Sequence, residues 1–591
     1  MRRRRAAAAM AAGVVAAVLS GCATVPTSGP VRAGGDTTAD QSGPAVRVIG
    51  RPPTRGAKPA DVVTGFLQAS ADLTNGSATA RSYLTPEAAS AWDPGKGVSV
   101  YDRSGLPPLA EGDSDVATGT VLLDGTTVAR IDASGHYSAV PPGTPLEQQF
   151  RLRQVGGEWR ISNPRDGLLL TAEDLSEAFR RVTLYFVSPG SGVLVPDPVY
   201  VPGQPQLATL LVQRLLGGVP KGLSGAATTP LPAGSTLATS SVPVSDGVAR
   251  VSVRTPAGLA GTEPRRELSA QLVWTLGQLA DVQAVHVVVD GSEIRLAGLG
   301  ADQPVDSWKS FNPAGLIEGA IAYAVQQSRA GSVLGRIDGA RFSPVAGPAG
   351  DTREPIRLPA VSLDAQALAT ISLDGRSMSI GQITDDARFV PRLTGAMNLS
   401  SPSWDVLGDV WVVDRRGATS RLWRVPESGS PQLVTVPPLA VGPVQLVRLA
   451  RDGARIAVVA GRADDPTLFV GAVQRRPGGD RVVQLHQVLT DITGVVDVAW
   501  ADATTLAVLG RRGHLAFGAF YVDIDGAVVR PVEDAPSRLV SIAAGPGARP
   551  LIGAGSDGRL YQFGSGRTWS PVGQPPGARV DIVFRDPTYP G

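Results

Sequence analysis

The chain has 591 residues, of which 43% are hydrophobic, and its formal net charge is +2. This length predicts three or four domains, and the apolar content is enough to build their cores. A net charge this small gives no sign of nucleic-acid binding or of electrostatic capture by lipid headgroups.

The chain opens with the pattern of a bacterial secretion signal. Arg2 to Arg5 form a basic segment, Ala6 to Leu19 form an apolar run, and the small residues Ser20 and Gly21 precede Cys22. The run is shorter than the ~20 apolar residues of a membrane-spanning helix. A basic segment, a short apolar run and small residues together are typical of a cleavable signal peptide. We therefore predict a lipoprotein signal peptide over residues 1–21.

Leu19-Ser20-Gly21-Cys22 resembles the lipobox of bacterial lipoproteins. The resemblance implies cleavage between Gly21 and Cys22, and S-diacylglycerol and N-acyl (palmitate-type) groups on Cys22. Several acyl chains anchor a protein stably, whereas one chain holds it only marginally. We expect a protein anchored to the outer face of the cytoplasmic membrane; an ordinary secretory signal that happens to contain a cysteine is the alternative. Cys22 is the single cysteine, so no disulfide is expected.

A tether and an α+β domain are predicted next. Residues 22–57 are rich in Gly, Pro, Ser and Thr, which predicts a flexible, lipidated tether. Over residues 58–172, a helix begins at Pro59, a second short helix begins at Thr85, and strand-like runs follow. Asp124-Gly125 predicts a turn between two of these strands. The pattern resembles cone-shaped domains of the nuclear-transport-factor-2 type, whose pocket is enzymatic in some members and empty or structural in others.

Residues 180–300 predict an α/β domain. An apolar strand over Val182 to Val187 is followed by a hairpin-like pair, Val193 to Val195 and Val199 to Val201, separated by Pro196-Asp197-Pro198. Two helices with one leucine-rich face and two pairs of strands around Asp-Gly turns follow. The leucines and turns concerned are Leu207, Leu210, Leu211 and Leu215, Leu268, Leu272, Leu276 and Leu279, Asp246-Gly247 and Asp290-Gly291.

This second domain resembles the GerMN domain of germination and sporulation proteins. The matching residues are Leu184 to Phe186, the helix from Leu207 to Leu216, and Val285 to Gly291. The resemblance implies a noncatalytic α/β module of cell-envelope proteins. His286 stands alone in an apolar strand with no second ligand candidate nearby, so we expect a core residue rather than a metal ligand.

After a linker predicted over residues 301–319, one pattern repeats with a spacing of roughly 40 to 50 residues, the period of a propeller blade. Each unit is a strand, a polar turn, a very apolar strand and one or two amphipathic strands. Closure into a ring protects strand edges, so we predict an all-β propeller of five or six blades over residues 320–591. A partial unit at Tyr323 to Ile337 is expected to pair with the C-terminal strand Val580 to Phe584. The five visible units include Val361, Ser403, Arg448, Val498 and Ile542.

No pattern in the propeller indicates catalysis. It lacks a G-x-S-x-G elbow, an HExxH helix and a phosphate-binding loop. We expect its Asp-Gly aspartates to serve turn conformation, its histidines to be isolated and its tryptophans to fill blade cores. We therefore predict no enzyme activity, no catalytic residue, no metal site and no cofactor. The residues meant are Asp374, Asp452, Asp525 and Asp557, His486 and His514, and Trp404, Trp411, Trp500 and Trp569.

The order of lipobox, tether, α+β domain, GerMN-like domain and propeller resembles the actinobacterial LpqB lipoprotein family. The resemblance covers essentially the whole chain, and it implies a partner, the extracytoplasmic part of a sensor histidine kinase of the MtrB type. The implied function is an adaptor that modulates the MtrA/MtrB two-component system in cell-envelope and division homeostasis. The alternative is a propeller that binds or processes a cell-wall glycan, a peptide or a small molecule. A structural spacer without a partner also stays open.

Overall fold

A computed structural model describes residues 50–591, except 74–75, 104–109, 112–117, 204, 316–318, 340, 490, 514–516, 548, 565 and 573–581. The predicted signal peptide, the cleavage site between Gly21 and Cys22, and His514 lie outside the described residues. Within these described ranges, no helix is long and apolar enough to cross a membrane.

The first domain combines short helices with one seven-stranded sheet, as the predicted α+β class requires. Its elements are α1 (Pro59–Ala69), α2 (Ala78–Arg81), α3 (Pro86–Ala91), β1 (Val98–Asp102), β2 (Ala110–Glu111), β3 (Thr118–Ile131), β4 (Tyr137–Ala139), β5 (Pro145–Val155), β6 (Glu158–Ile161), β7 (Leu168–Thr171) and α4 (Ala172–Ala178). The sheet order is β6-β5-β3-β1-β7, with β2 and β4 also paired to β3. Helix α1 buries Phe66, whose ring contacts the buried rings of Trp92 and Phe150 in the core.

The turn predicted at Asp124-Gly125 is wrong. Both residues lie inside the continuous strand β3, opposite Glu147 and Leu146 of β5. A Cβ atom on Gly125 would lie 2.8 Å from the carbonyl oxygen of Asp102 in β1. Glycine within a strand commonly marks such a close approach of backbones, so this glycine serves strand packing and not a turn.

The second domain is an α/β unit. Its elements are β8 (Phe179–Val187), β9 (Leu194–Pro202), α5 (Leu207–Leu216), β10 (Thr236–Leu237), β11 (Val244–Ser245), β12 (Val248–Arg254), α6 (Thr262–Leu276), β13 (Ala284–Val289), β14 (Ser292–Glu293) and β15 (Asp302–Pro304). One sheet has the order β10-β12-β13-β14, with β11 on β12 and β15 on β13, while β8 and β9 pair separately. The leucine faces of both helices are buried in a core that also holds Phe186 and Val287.

Two turn predictions in this domain have opposite outcomes. Asp246 and Gly247 form the predicted tight turn, with φ of 52° and 75°, as a two-residue hairpin of type I′ requires. The hairpin predicted around Pro196-Asp197-Pro198 is wrong, because all three residues lie within the single strand β9, paired to β8. Among the described residues β9 pairs only with β8, and an edge strand tolerates proline because its outer N–H groups make no ladder bonds.

Part of the stretch assigned to a linker, residues 301–319, belongs to the second domain. Strand β15 pairs with β13, and the short 3-10 helix Lys309–Phe311 follows. Trp308 and Phe311 are 4% and 3% exposed and pack into the core of the domain, with ring centroids 5.4 Å apart. Trp308 and Phe311 are buried, but two isolated aromatic residues show no helical or strand periodicity, so the sequence did not predict a structural element here.

The third domain is a β-propeller of six four-stranded antiparallel blades, within the predicted range. Blade 1 contains β16 (Ala322–Ser328), β17 (Gly331–Asp338) and β18 (Arg341–Pro344). Blades 2 and 3 are β19 (Ala360–Val361), β20 (Ala367–Ile371), β21 (Met378–Gln382), β22 (Val390–Leu393), and β23 (Ser403–Trp404), β24 (Val410–Arg416), β25 (Thr419–Val425), β26 (Gln432–Val434). Blades 4 and 5 are β27 (Val444–Leu449), β28 (Arg455–Ala460), β29 (Thr467–Gln474), β30 (Arg481–Gln487), and β31 (Ile492–Trp500), β32 (Thr505–Arg512), β33 (Phe517–Asp523), β34 (Val529–Pro531). Blade 6 is β35 (Leu539–Ala543), β36 (Leu551–Gly555), β37 (Leu560–Phe563) and β38 (Trp569–Val572).

The ring is closed by the last strand of the chain. Strand β39 (Val583–Thr588) pairs antiparallel with β16 and completes blade 1 as its innermost strand. The predicted pairing of the two ends is therefore confirmed; residues 580–581 of the predicted strand lie outside the described residues. The buried ring of Phe584 lies 5.2 Å from that of Phe342 in β18, so the closure is apolar.

The propeller has two faces. Because neighbouring strands in each blade are antiparallel, the turns between them lie alternately on one face and on the other. Counting the strands of each blade outward from the channel, we call the face that carries the turns between first and second strands the docked face. The second domain meets it, since Arg455 after one such turn lies 3.7 Å from Asp197. We call the face that carries the turns between second and third strands, such as those at Gly375 and Gly417, the open face.

Candidate functional site

The propeller surrounds a central channel of about 300 Å³. The innermost strand of each blade, or the residues just before it, lines this channel. The lining is polar and rich in arginine, since Arg357, Arg415, Arg448 and Arg451 lie there with the carboxylates of Asp497 and Asp586. The channel is therefore neither an aromatic platform nor an apolar, glycine-rich bore.

One arginine of the channel is neutralised. Arg448 Nη2 lies 3.1 Å from Asp497 Oδ1 and donates to Ser401 Oγ at 2.9 Å. Asp497 also accepts hydrogen bonds from the backbone N–H groups of Val498 and Ile542, at 2.9 and 3.0 Å. Burial raises the pKa of Asp497, and the nearby Arg448 guanidinium opposes that rise. This pair connects blades 4, 5 and 6 and serves the ring itself.

Arg357 and Arg415 differ from Arg448 because their acceptors are uncharged. Arg415 Nη2 donates to Asn398 Oδ1 at 3.1 Å and to the Leu399 carbonyl at 3.3 Å. Arg357 Nη1 lies 3.4 Å from the carbonyl oxygen of Ser372. Burial, and then the positive charge of Arg357, lower the pKa of Arg415. Two guanidinium groups at the open face thus repel each other. Arg357 also acts on the carboxylate of Asp586 in β39, whose raised pKa its charge opposes.

The channel is closed at the docked face by the last residues of the chain. Arg451 donates to the carbonyl oxygen of Pro590 from Nε at 3.3 Å and from Nη2 at 3.2 Å, and to that of Trp500 at 3.1 Å. The N–H of Gly591 donates to Val361 at 2.9 Å. Burial, with a smaller contribution from Arg549, lowers the pKa of Arg451 to about 10. The channel is therefore a well that opens on one face only.

A second polar cluster joins the second domain to the propeller. Arg181 of β8 lies 2.9 Å from Asp523 and 3.1 Å from Asp525, and its side chain is 18% exposed. Burial raises the pKa of Asp523 to about 6, while Arg181 opposes the rise. This buried, branched ion pair fixes blade 5 to the second domain.

His136 of the first domain completes this junction. Its Nε2 lies 3.0 Å from Asp197 of the second domain, and its Nδ1 lies 3.6 Å from Asp132. Burial alone would lower the pKa of His136, but the carboxylates of Asp132 and Asp197 raise it to about 10. Asp197 also lies 3.7 Å from Arg455 of the propeller. A cavity of about 360 Å³ lies where the three domains meet at these residues.

The structure places most of the predicted turn and core residues as expected. The glycines after Asp374, Asp452, Asp525 and Asp557 all have positive φ, and Trp404, Trp411 and Trp500 are buried. Asp452 and Asp525 have a further role, since each also forms an ion pair with an arginine of the junction. Trp569 is half-buried: it packs against the core between blades 5 and 6, its ring lies 5.4 Å from that of Phe563, and it donates to the Glu533 carbonyl at 2.6 Å.

His286 is not a core residue. Its strand β13 buries Val285, Val287 and Val289 on one face, and His286 lies on the other. There its Nδ1 lies 2.7 Å from Asp302 and its Nε2 lies 3.6 Å from Glu293. Across the described part of the chain, no group of three or more His, Cys, Asp or Glu residues is arranged to hold a metal ion.

Sequence reasoning missed both the arginine well and the domain junction. Arg448 interrupts the apolar strand β27, and a lone arginine in an inner blade strand was the available signal for the well. No local signal marked the junction, because Arg181 and Asp525 are 344 residues apart.

Fold and geometry together define a three-domain protein in which a six-bladed propeller is docked to an α/β domain. Three family profiles match: "Lipoprotein LpqB, N-terminal domain" over residues 52–176, "Sporulation and spore germination" over 183–295, and "Lipoprotein LpqB beta-propeller domain" over 332–584. Lipoprotein LpqB of Thermobifida fusca is 32% identical over 99% of both chains. That of Streptomyces avermitilis is 30% identical over 97% of both chains.

The chain belongs to the LpqB lipoprotein family. Membership implies a membrane-anchored, extracytoplasmic protein, and these relatives are named as lipoproteins and not as enzymes. Among solved structures, TolB from Acinetobacter baumannii is 14% identical, with a TM-score of 0.36 over 53% of this chain and 84% of that chain. The propeller assignment rests on the sheet topology and on the family profile.

Proposed function

We propose that the protein is a noncatalytic adaptor, anchored through acylated Cys22 at the outer face of the cytoplasmic membrane. In this proposal it binds the extracytoplasmic part of a sensor histidine kinase of the MtrB type and modulates the MtrA/MtrB two-component system. Anchoring both proteins in one membrane raises their effective concentration, so a weak surface contact suffices. Preferential binding to one conformation of the kinase would shift its signalling equilibrium.

The observation that carries the proposal is the ion-paired junction of the three domains. His136, Arg181 and Arg455 come from three different domains, and each has a carboxylate of another domain within 4 Å. Charged groups that are buried and paired across domains resist separation, since breaking one pair leaves an uncompensated charge. The propeller is therefore held with its open face away from the docked second domain. A rigid body with one free face suits an adaptor.

Partner capture tests the proposal. The full-length protein with a C-terminal affinity tag is crosslinked in native membranes of its own bacterium, solubilised in detergent, and analysed by mass spectrometry. The proposal expects specific recovery of a sensor kinase, and reduced recovery with Cys22→Ala, because that variant loses the common membrane. Recovery of wall fragments without any kinase would contradict the adaptor role and favour the ligand-binding alternative.

A further inference from the structure

The arginine well has the features of a binding site in its own right. We propose that the propeller channel binds a carboxylate of an acidic peptide between Arg357 and Arg415, with the neighbouring peptide residues lying in a groove on the open face. This inference goes beyond the adaptor role and does not depend on it, since it names a ligand chemistry and not a kinase.

Neither Arg357 nor Arg415 is held in a close ion pair. In the described residues, neither has a carboxylate within the 4.0 Å of an ion pair, although the charge of Arg357 acts on Asp586 at longer range. Arg416, next in the chain, pairs with Asp414 at 2.6 Å, so the strand supplies a carboxylate to one arginine and not to the other. A guanidinium fork matches the two oxygens of a carboxylate and binds them more strongly than neutral acceptors.

Gly375, at the open face, lies beside the Arg357 side chain. A Cβ atom on Gly375 would lie 3.4 Å from Arg357 Nη1 and 3.5 Å from Asn398 Oδ1, the atom that accepts from Arg415. Arg357 and the acceptor of Arg415 therefore both border Gly375. An anionic group bound beside Gly375 would reduce the repulsion between the two guanidinium groups.

The well also contains a buried hydroxyl. Among the described residues, none forms a hydrogen bond with Ser541 Oγ, and Ser541 lines the channel. A buried polar atom without a partner costs free energy, so native structures supply one from protein, water or ligand. Because Arg451 and the residues around Pro590 close the docked end, a group that enters the channel comes from the open face.

A groove lies beside the mouth of the well. It is a cavity of about 890 Å³ that shares Arg415 and Val496 with the well. Its further lining includes the apolar side chains of Phe517, Leu539 and Trp569 and charged side chains of both signs, Asp464, Arg511, Glu533, Asp534 and Arg538. Val496 and Val540, at the rim, are 48% and 45% exposed although they belong to inner strands. Both cavities fall in the size range of ligand sites, about 300–1,000 Å³. An inorganic anion would use only the arginines, whereas a peptide would also contact the apolar and charged side chains of the groove.

Binding of short peptides to the full-length protein in detergent tests the inference. Pools of N-acetylated, C-amidated hexapeptides, each with one Asp or Glu, are screened by fluorescence anisotropy. Each peptide that binds is then resynthesised with Asn in place of its Asp, or Gln in place of its Glu. We expect at least a tenfold loss of affinity on this change, and a similar loss for Arg357→Gln and Arg415→Gln. Arg421→Gln is the matched control, because Arg421 is an exposed arginine of blade 3 with the same charge. The affinity of the Arg421→Gln variant for the acidic peptides should equal that of the unmodified protein.

Three results would overturn the inference: no acidic pool binds, the amide peptides bind as well, or the two arginine variants bind as the control does. Equal competition by inorganic phosphate would show a simple anion site and would also overturn the peptide assignment. Thermal unfolding of each variant verifies that it is folded. Kinase capture with a variant that carries both Arg357→Gln and Arg415→Gln separates the two proposals. If this variant still captures the kinase but no longer binds the peptide, the adaptor role is intact.

Discussion

At the scale of single residues, glycines and arginines differ in how well sequence predicts them. The positive φ of Gly247 and Gly453 follows from local turn chemistry, so these positions were predictable. Arg181 and His136 gain their roles from carboxylates in other domains. Nothing in their own neighbourhood in the sequence specifies such partners, which explains why the junction was missed.

Arg181→Ala is expected to weaken the docking of the second domain on the propeller. It leaves Asp523 and Asp525 buried without their cation, and loss of one partner of a buried pair costs about 3–5 kcal/mol. Because burial raises the pKa of Asp523 to about 6, this carboxyl is protonated below that pH. The loss should therefore be smaller at pH 5 than at pH 8, as measured by scanning calorimetry.

Arg462→Ala is the control for this prediction. Arg462 pairs with Asp464 at the surface, where the two side chains are 80% and 70% exposed, and exposed substitutions usually change stability by less than about 0.5 kcal/mol. Equal effects of the two substitutions would contradict the structural role of the junction.

His136 is expected to make the stability depend on pH in the alkaline range. Its pKa is about 10 in the folded protein and 6.5 in the ordinary case, so folding favours the protonated form. The stabilisation is therefore complete below about pH 6.5 and is lost as the pH rises through about 10. His136→Gln should lack this component, which the difference between the two unfolding curves at pH 6, 8 and 10 measures. Parallel curves would show that protonation of His136 contributes nothing to the stability.

At the scale of elements, periodicity identified the helices and the repeated strands, because a buried face imposes its spacing on the sequence. It failed where an element was defined by a distant partner. Gly125 lies in a strand because β1 approaches it, and Pro196 lies in a strand because β9 is an edge. Both carry a local turn signal that tertiary packing overrides.

Ring closure by β39 gives a prediction at this scale. Phe584 is 1% exposed and packs on Phe342 of β18, so Phe584→Ala is expected to cost about 3–5 kcal/mol through the cavity that it leaves. Phe584→Leu keeps most of the volume and should cost less than about 1.5 kcal/mol. Urea unfolding of the full-length variants measures both. A Phe584→Ala protein as stable as the original would show that β39 does not hold the ring closed.

At the scale of the whole molecule, domain order was the strongest signal, and it agrees with three family profiles in the same order. The docking of those domains was not predictable from the sequence, because it depends on pairs such as Arg455 and Asp197, which are far apart in the chain.

The anchor is testable at this scale. Cys22→Ala removes the only thiol, so we expect the protein to leave the membrane fraction for the culture medium. Fractionation followed by immunoblotting measures this distribution. Retention of Cys22→Ala in the membrane after an alkaline carbonate wash would show that another segment holds the protein.

The most direct measurement of the adaptor role is kinase activity in a defined membrane. The purified sensor kinase is reconstituted in liposomes with or without the full-length lipoprotein on the side of its extracytoplasmic domain, and phosphorylation of the response regulator is followed with labelled ATP. The adaptor account predicts that the anchored protein changes the rate several-fold and that the same concentration of Cys22→Ala protein has a much weaker effect. Identical rates with and without the anchored protein would contradict it.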